Sequence, residues 1–156
     1  MRDVPSITVD ARGLRVAIVS SAYHGDVTGA MERGAREAFA AAGGEPASLR
    51  CVAAAGAFEL PVLVDAALAR ADVDAAVAIG CIVRGETAHD RHLGLSVTQE
   101  LLRISVARGK PVGLAVLTVE NAAQARERAG GSVGNKGEDA MRAALATVRA
   151  RRELSQ

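Results

Sequence analysis

Short apolar runs alternate with segments of helical periodicity along most of this chain, and this alternation limits the folds open to it. Four runs are rich in small or β-branched apolar residues, at 13–20, 48–56, 75–83 and 111–119. Such runs are typical of strands buried on both faces, as in parallel sheets. Each is followed by a stretch in which apolar residues recur every three or four positions, which predicts a helix.

The predicted helices complete a regular order of elements. The third helix carries an apolar stripe that includes Leu93 and Leu101, and Gly109 ends it, as glycine commonly does. Two further helices, in 120–130 and 138–154, follow the fourth strand. The order β-α-β-α-β-α-β-α-α predicts right-handed crossovers and a four-stranded parallel sheet with helices on both faces.

The segment before Gly13 is strand-like but stands apart from this pattern. We therefore divide the chain into an N-terminal arm, 1–12, and a single domain, 13–156. Two interpretations of the arm remain open. It is either a disordered end or an edge strand that pairs with a neighbouring subunit.

Composition and charge exclude several classes of function. The net charge is +1, which gives no concentrated basic surface for nucleic acid. No apolar run is long enough to span a membrane, and no apolar core opens the chain as a signal peptide would. The two cysteines, Cys51 and Cys81, are far apart and form no CxxC pair. We therefore expect a reduced, cytoplasmic protein with neither nucleic-acid nor membrane partners.

The loops that follow the four predicted strands are the candidate site, because open parallel sheets bind ligands outside the carboxyl ends of their strands. In chain order these loops read "SSAYHGD", "AAGAFELP", "CIVRGETAH" and "LTVEN", the last leading to "RERAGGSVGNKG". Tyr23 in the first loop either stacks on a flat heterocycle or merely covers the sheet end. Glu59 in the second loop either accepts hydrogen bonds from ligand hydroxyls or sits favourably in a first helical turn.

The segment "RGETAH" joins the third strand to the third helix. Backbone N–H groups at a helix N-terminus carry partial positive charge, Gly85 permits close approach, and Thr87 adds a hydroxyl, which together fit a phosphate cradle. An ordinary turn with Thr87 as N-cap fits equally well. His89 suits acid–base chemistry near neutral pH, although its place on the apolar stripe also fits a packed histidine.

Motifs for nucleotides and metals are missing or incomplete. The loop "GGSVGNKG" is not a Walker A motif, because glycine follows Lys136 where serine or threonine is needed, and no GxGxxG occurs. His89 and His92 are spaced as a metal-binding pair, but no third ligand has suitable spacing. We expect neither a metal nor another cofactor.

Four motifs, "GAFELP", "VRGETAH", "LTVENAAQARERAG" and "GNKGEDA", occur together in order. With their spacing, they resemble the 6,7-dimethyl-8-ribityllumazine synthase family of riboflavin biosynthesis, from Gly13 to about Leu145. The resemblance implies a three-layer α/β/α flavodoxin-like subunit. It also implies a transferase that condenses 5-amino-6-(D-ribitylamino)uracil with 3,4-dihydroxy-2-butanone 4-phosphate, releasing phosphate and water. The alternative is a non-catalytic flavin- or lumazine-binding relative, or one that only forms a shell.

The resemblance also implies roles for individual residues. Those on the pyrimidine and ribityl side are Tyr23, Ala57, Phe58, Glu59, Cys81, Ile82, Val83 and, from an adjacent subunit, Leu114. Those on the phosphate side are Gly85, Glu86, Thr87, Arg128 and Lys136. His89 would move protons. The implied assembly is a homo-oligomer built on pentamers, with a decamer or a sixty-subunit shell open, and riboflavin synthase as an associated protein.

The chain departs from the family pattern just after His89. Members usually read something like Phe-Asp-Tyr-Val followed by Asn-Glu, whereas this chain reads "DRHLGLSVTQE". Leu114 stands where phenylalanine or asparagine is common, and Ala55 stands where proline is common. These departures bear on subunit packing and substrate affinity more than on proton transfer. They also leave open a duplicated member with a shifted ligand preference.

Overall fold

Four strands form one parallel sheet in a computed structural model that describes residues 7–156. The first half of the predicted arm, 1–6, lies outside the described residues. The strands are β1 (Val16–Ser21), β2 (Leu49–Ala54), β3 (Ala75–Val83) and β4 (Val112–Val119). Their order across the sheet is β2-β1-β3-β4, and all three pairings are parallel. The predicted four-stranded parallel sheet is confirmed.

Helices cover both faces of this sheet. They are α1 (Gly25–Ala41), α2 (Leu60–Leu68), α3 (His89–Arg108), α4 (Ala122–Glu127) and α5 (Lys136–Leu154). α1 and α5 pack on one face, whereas α2 and α3 pack on the other. This is the three-layer α/β/α arrangement of flavodoxin-like folds. Among residues 7–156, no helix combines the length and the apolar character that crossing a membrane requires.

Each face of the sheet buries its own apolar core, because side chains alternate along a strand. Ile18 of β1 packs with Met31 and Met141 in the layer of α1 and α5. The next residue, Val19, packs with Leu101 in the layer of α2 and α3. β3 is buried along almost its whole length, which explains its continuous apolar sequence. The centre of the sheet therefore follows directly from sequence pattern.

The connection between α4 and α5 differs from the prediction. A helix was expected over 120–130, but α4 ends at Glu127 and a short antiparallel hairpin follows, β5 (Ala129–Gly131) with β6 (Gly134–Asn135). Gly130 has a φ of 112° and Gly134 a φ of 89°, values that a right-handed helix cannot contain. Two positive-φ glycines thus end the helical pattern early.

Asn135 ends the hairpin and starts α5. Its Oδ1 accepts hydrogen bonds from the N–H groups of Gly137, at 2.9 Å, and Glu138, at 3.2 Å. Its Nδ2 donates to the carbonyl of Ala30 in α1, at 3.0 Å. A Cβ on Gly34 of α1 would lie 2.4 Å from the Asn135 side chain. One amide therefore caps α5 and joins it to α1.

We predict that Asn135→Ala lowers the free energy of unfolding by about 1–2 kcal/mol, because it removes a cap and a bond between helices. The measurement is chemical denaturation at fixed protein concentration. The control is Asn121→Ala, which removes only the cap of the six-residue α4, a single bond to the Gln124 N–H at 2.9 Å. Equal losses in both variants would contradict the assignment of two functions to Asn135.

Candidate active site

A cavity of about 400 Å³ opens at the carboxyl end of the sheet. Its lining residues come from the ends of β1, β2 and β3 and from the start of α3: Tyr23, His24, Gly56, Ala57, Phe58, Glu59, Cys81, Ile82, Val83, His89, Asp90 and Leu93. The loops after the first three strands therefore converge, as predicted. The fourth loop contributes no residue to this cavity.

The open edge of β3 forms one wall of the cavity. β1 pairs with β3 only as far as Ser20 opposite Ile79, whereas β3 continues to Val83 against β4. Beyond Ile79, the edge of β3 that faces β1 has no strand partner among the described residues. Its backbone groups can therefore bind a ligand in the cavity.

Cys81 lies on this wall with its side chain directed into the core. It is 4% exposed and packs in the layer of α1 and α5. Burial raises the pKa of the Cys81 thiol, and the nearby carboxylate of Asp26 raises it further. The thiol is therefore protonated at neutral pH and a poor nucleophile. This residue can offer a ligand its backbone rather than its sulfur.

The loop after β2 brings an aromatic ring and a carboxylate to the same point of the backbone. A Cβ on Gly56 would lie 3.1 Å from Glu59 Oε2 and 3.5 Å from the ring of Tyr23. The φ of Gly56 is −154°, which any residue adopts, so space and not backbone conformation favours glycine. Tyr23 and Phe58 are 70% and 72% exposed. Two aromatic faces are thus open to a ligand.

His89 is the first residue of α3 and is exposed. This exposure does not fit the packed histidine that the sequence left open. Thr87 Oγ1 accepts the N–H of His89 at 3.4 Å, but the N-cap position belongs to Ala88. The interpretation of Thr87 as N-cap is therefore wrong by one residue, although its hydroxyl does bind the helix start.

A second, polar cavity of about 320 Å³ adjoins the first and shares Asp90 with it. Its lining residues come from the loop before α3, the start of α3 and the end of β4: Arg84, Gly85, Glu86, Thr87, Ala88, Asp90, Arg91, Thr118, Val119 and Glu120. Arg84 Nη1 is ion-paired with Glu120 Oε2 at 2.6 Å. The predicted cradle of Gly85, Glu86 and Thr87 thus lies beside His89, in a separate cavity.

Three predicted site residues line neither cavity. Leu114 lies midway along the edge strand β4 and is 48% exposed. Arg128 Nη1 donates to the carbonyl of Gln124 at 3.0 Å. Lys136 Nζ is ion-paired with Asp139 Oδ2 at 2.8 Å. A single chain does not bring these side chains together with His89.

The sequence analysis did not assign a role to four residues that line the larger cavity. His24, Gly56 and Asp90 each adjoin a predicted residue in the sequence, and that adjacency was the available signal. Leu93 was assigned only to the apolar stripe of its helix, and it both packs against the core and lines the larger cavity.

Within 7–156, no three histidine, cysteine or acidic side chains cluster as metal ligands would.

Comparison with known proteins identifies the family. The family model for 6,7-dimethyl-8-ribityllumazine synthase matches residues 13–152. The chain belongs to this family. A lumazine synthase of Kineococcus radiotolerans is 46% identical, over 97% of this chain and 93% of its own length. That of Leifsonia xyli subsp. xyli is 44% identical over 94% and 91%, and that of Thermus thermophilus 38% over 94% and 93%.

We predict that Cys81 reacts slowly with thiol reagents and that its rate keeps rising above about pH 8.5, where an ordinary thiol levels off. The sign follows from the raised pKa, which lowers the thiolate fraction at any given pH. The measurement is the rate of modification against pH in Cys51→Ser, which leaves one thiol. The denatured variant is the control. A plateau below pH 8.5 in the folded protein would contradict the buried thiol.

Proposed function

We propose that these two cavities carry out the reaction of the lumazine synthase family. In that reaction 5-amino-6-(D-ribitylamino)uracil condenses with 3,4-dihydroxy-2-butanone 4-phosphate to give 6,7-dimethyl-8-ribityllumazine, phosphate and water. One observation carries the proposal: Tyr23, Glu59 and His89 line one cavity, next to the loop of Gly85 and Thr87. A non-catalytic role is not favoured, because the named relatives are synthases.

The larger cavity suits the pyrimidine substrate. The exposed ring of Tyr23 offers a face for stacking on the heterocycle. Glu59 is an acceptor for ribityl hydroxyls, beside Ala57 and Phe58. The unpaired backbone edge at Cys81, Ile82 and Val83 supplies donors and acceptors for the ring. In this assignment, aromatic surface holds the heterocycle and a few polar groups fix its orientation.

The polar cavity suits the phosphate of the second substrate. Gly85, Glu86 and Thr87 precede α3, whose N-terminus carries partial positive charge. Backbone donors there would bind the phosphate and stabilise it as it leaves. The side chain of Glu86 takes no part in this assignment, which uses only its N–H.

His89 lies where the two substrates would meet, because it lines the larger cavity and directly follows the phosphate loop. Imine formation between the amine and the ketone needs proton transfer, and so does the loss of phosphate. An imidazole can both accept and donate these protons. The remaining contribution of the site is to hold two reactive partners together.

The charges of the polar cavity support a site shared between subunits. Two arginines, Arg84 and Arg91, face three carboxylates there, Glu86, Asp90 and Glu120. A phosphate group would meet net negative charge in a single chain. We therefore propose that Arg128 and Lys136 approach the cavity from a neighbouring subunit, as the resemblance implies for Leu114.

Exposed apolar surface supports the same arrangement. Phe58, Pro61, Val62 and Val97 line a groove of about 540 Å³ that shares Phe58 and Glu59 with the larger cavity. Further exposed apolar residues lie along α3: Leu95, Leu102 and Val106. Such surface is typical of subunit contacts. It fits the proposed homopentamer, whose further assembly into a decamer or a sixty-subunit shell stays open.

Association with riboflavin synthase, a cytoplasmic location and the division at residue 13 stay predictions.

We predict that His89→Ala lowers turnover by about a hundredfold while largely sparing pyrimidine binding, because the imidazole moves protons. The measurement is lumazine formation, followed by absorbance and fluorescence with released phosphate counted alongside. The matched control is His92→Ala, which removes an imidazole from the same helix but from neither cavity. Wild-type turnover in His89→Ala would remove His89 from the mechanism. Pyrimidine binding without turnover in the unmodified protein would refute the proposed enzyme.

We predict that two variants with lowered turnover, His89→Ala and Arg128→Ala, complement each other when coexpressed. If each site takes His89 from one subunit and Arg128 from the next, a site is intact when the first subunit carries Arg128→Ala and the second carries His89→Ala. Random mixing in a ring therefore restores about a quarter of the sites. The measurement is the turnover of the mixed oligomer against each variant alone. No recovery, with mixing verified by mass spectrometry, would contradict the shared site, because every site would then carry one defect.

A further inference from the structure

His24 has a backbone conformation that residues other than glycine seldom adopt. Its φ is 54° and its ψ is 52°, and within 7–156 it is the one residue other than glycine with positive φ. Glycine adopts this left-handed conformation freely. Asparagine, aspartate and histidine adopt it more often than other residues, but it is uncommon for any side chain with a Cβ. A histidine held in this conformation at the wall of a cavity therefore calls for an explanation.

The start of α1 fixes this conformation. The carbonyl of His24 accepts hydrogen bonds from the N–H groups of Val27, at 2.9 Å, and Thr28, at 3.0 Å, and from Thr28 Oγ1 at 3.3 Å. Val27 and Thr28 are both buried. Since only backbone atoms of His24 take part, glycine at this position would keep every one of these bonds.

The imidazole of His24 contributes nothing visible to the fold. His24 is the N-cap of α1, where Ser, Thr, Asp or Asn normally accepts an N–H bond, yet its side chain makes no capping hydrogen bond. The residue is exposed and lines the larger cavity. The backbone conformation is uncommon for a residue with a side chain, and this side chain makes no capping bond. The imidazole is therefore available to a ligand.

The neighbours of His24 indicate which ligand. It follows Tyr23, whose ring packs near Gly56 together with the Glu59 carboxylate. These residues are at the ends of β1 and β2, whereas His89 belongs to the start of α3 next to the phosphate loop. We propose that His24 is a specificity-determining residue that hydrogen-bonds the pyrimidine substrate and orients it on Tyr23. This inference rests on the proposed function and adds to it a residue for which no role was predicted.

The test compares His24→Gly with His24→Asn. Glycine removes the imidazole and relieves the backbone, so we expect a melting temperature equal to or above that of the unmodified protein. We expect about tenfold weaker binding of 5-amino-6-(D-ribitylamino)uracil and a similar rise in its KM, as for one lost hydrogen bond. The KM for the butanone phosphate should not change. Asparagine tolerates the conformation and keeps a polar side chain, so it should restore affinity to within about threefold.

Three measurements keep the possible results apart: direct binding of the aminouracil alone, steady-state kinetics with both substrates, and thermal unfolding. His92→Asn, a histidine substitution outside both cavities, is the matched control and should leave all three unchanged. Unaltered aminouracil affinity in His24→Gly would overturn the proposal, as would a melting temperature several degrees lower. A loss confined to kcat would also overturn it, because that result would assign His24 to proton transfer. An unmodified protein that binds aminouracil but makes no product would refute the proposed function alone.

Discussion

The cavity exists because the pairing of β1 with β3 stops at Ser20 and Ile79 while β3 continues to Val83. At this point the chain leaves β1 toward β2 on one side of the sheet and later returns to β3 on the other. Right-handed crossovers in opposite directions place α1 and α2 on opposite faces, which opens a crevice between the two loops. The aromatic residues, the carboxylate of Glu59 and the imidazole of His89 all lie around this crevice.

Much of this arrangement could be predicted because it depends on local pattern and topology. The continuous apolar run of β3 marked the centre of the sheet, and the loops after the first three strands converged as parallel strands require. The hairpin after α4 was missed because its sequence, "AGGSVGN", is that of a glycine-rich loop, and its turn depends on the positive φ of Gly130 and Gly134. Backbone conformation of this kind is weakly encoded in residue type, since glycine also occurs in helices such as α1.

The candidate site was less predictable than the fold. Motif order assigned fourteen residues to one site, but the chain divides them among a larger cavity, a polar cavity and positions that line neither. The resemblance implied an adjacent subunit for Leu114 alone. Arg128 and Lys136 were grouped with the phosphate loop, because sequence spacing does not show which predicted residues one chain brings together. His24 escaped notice for a different reason. Its significance lies in a backbone angle, which the sequence does not display.

The two cavities differ in chemistry in the way that two unlike substrates require. The larger one combines exposed aromatic rings with a few polar groups, whereas the polar one is lined largely by charged groups and backbone. Asp90 and Arg91, both in the segment that departs from the family pattern, bring opposite charges to the polar cavity together. Their charges cancel each other, and the excess of carboxylates remains, because Arg84 faces both Glu86 and Glu120. If cations from a neighbouring subunit complete the phosphate site, as proposed above, assembly is a condition of activity and not merely of stability.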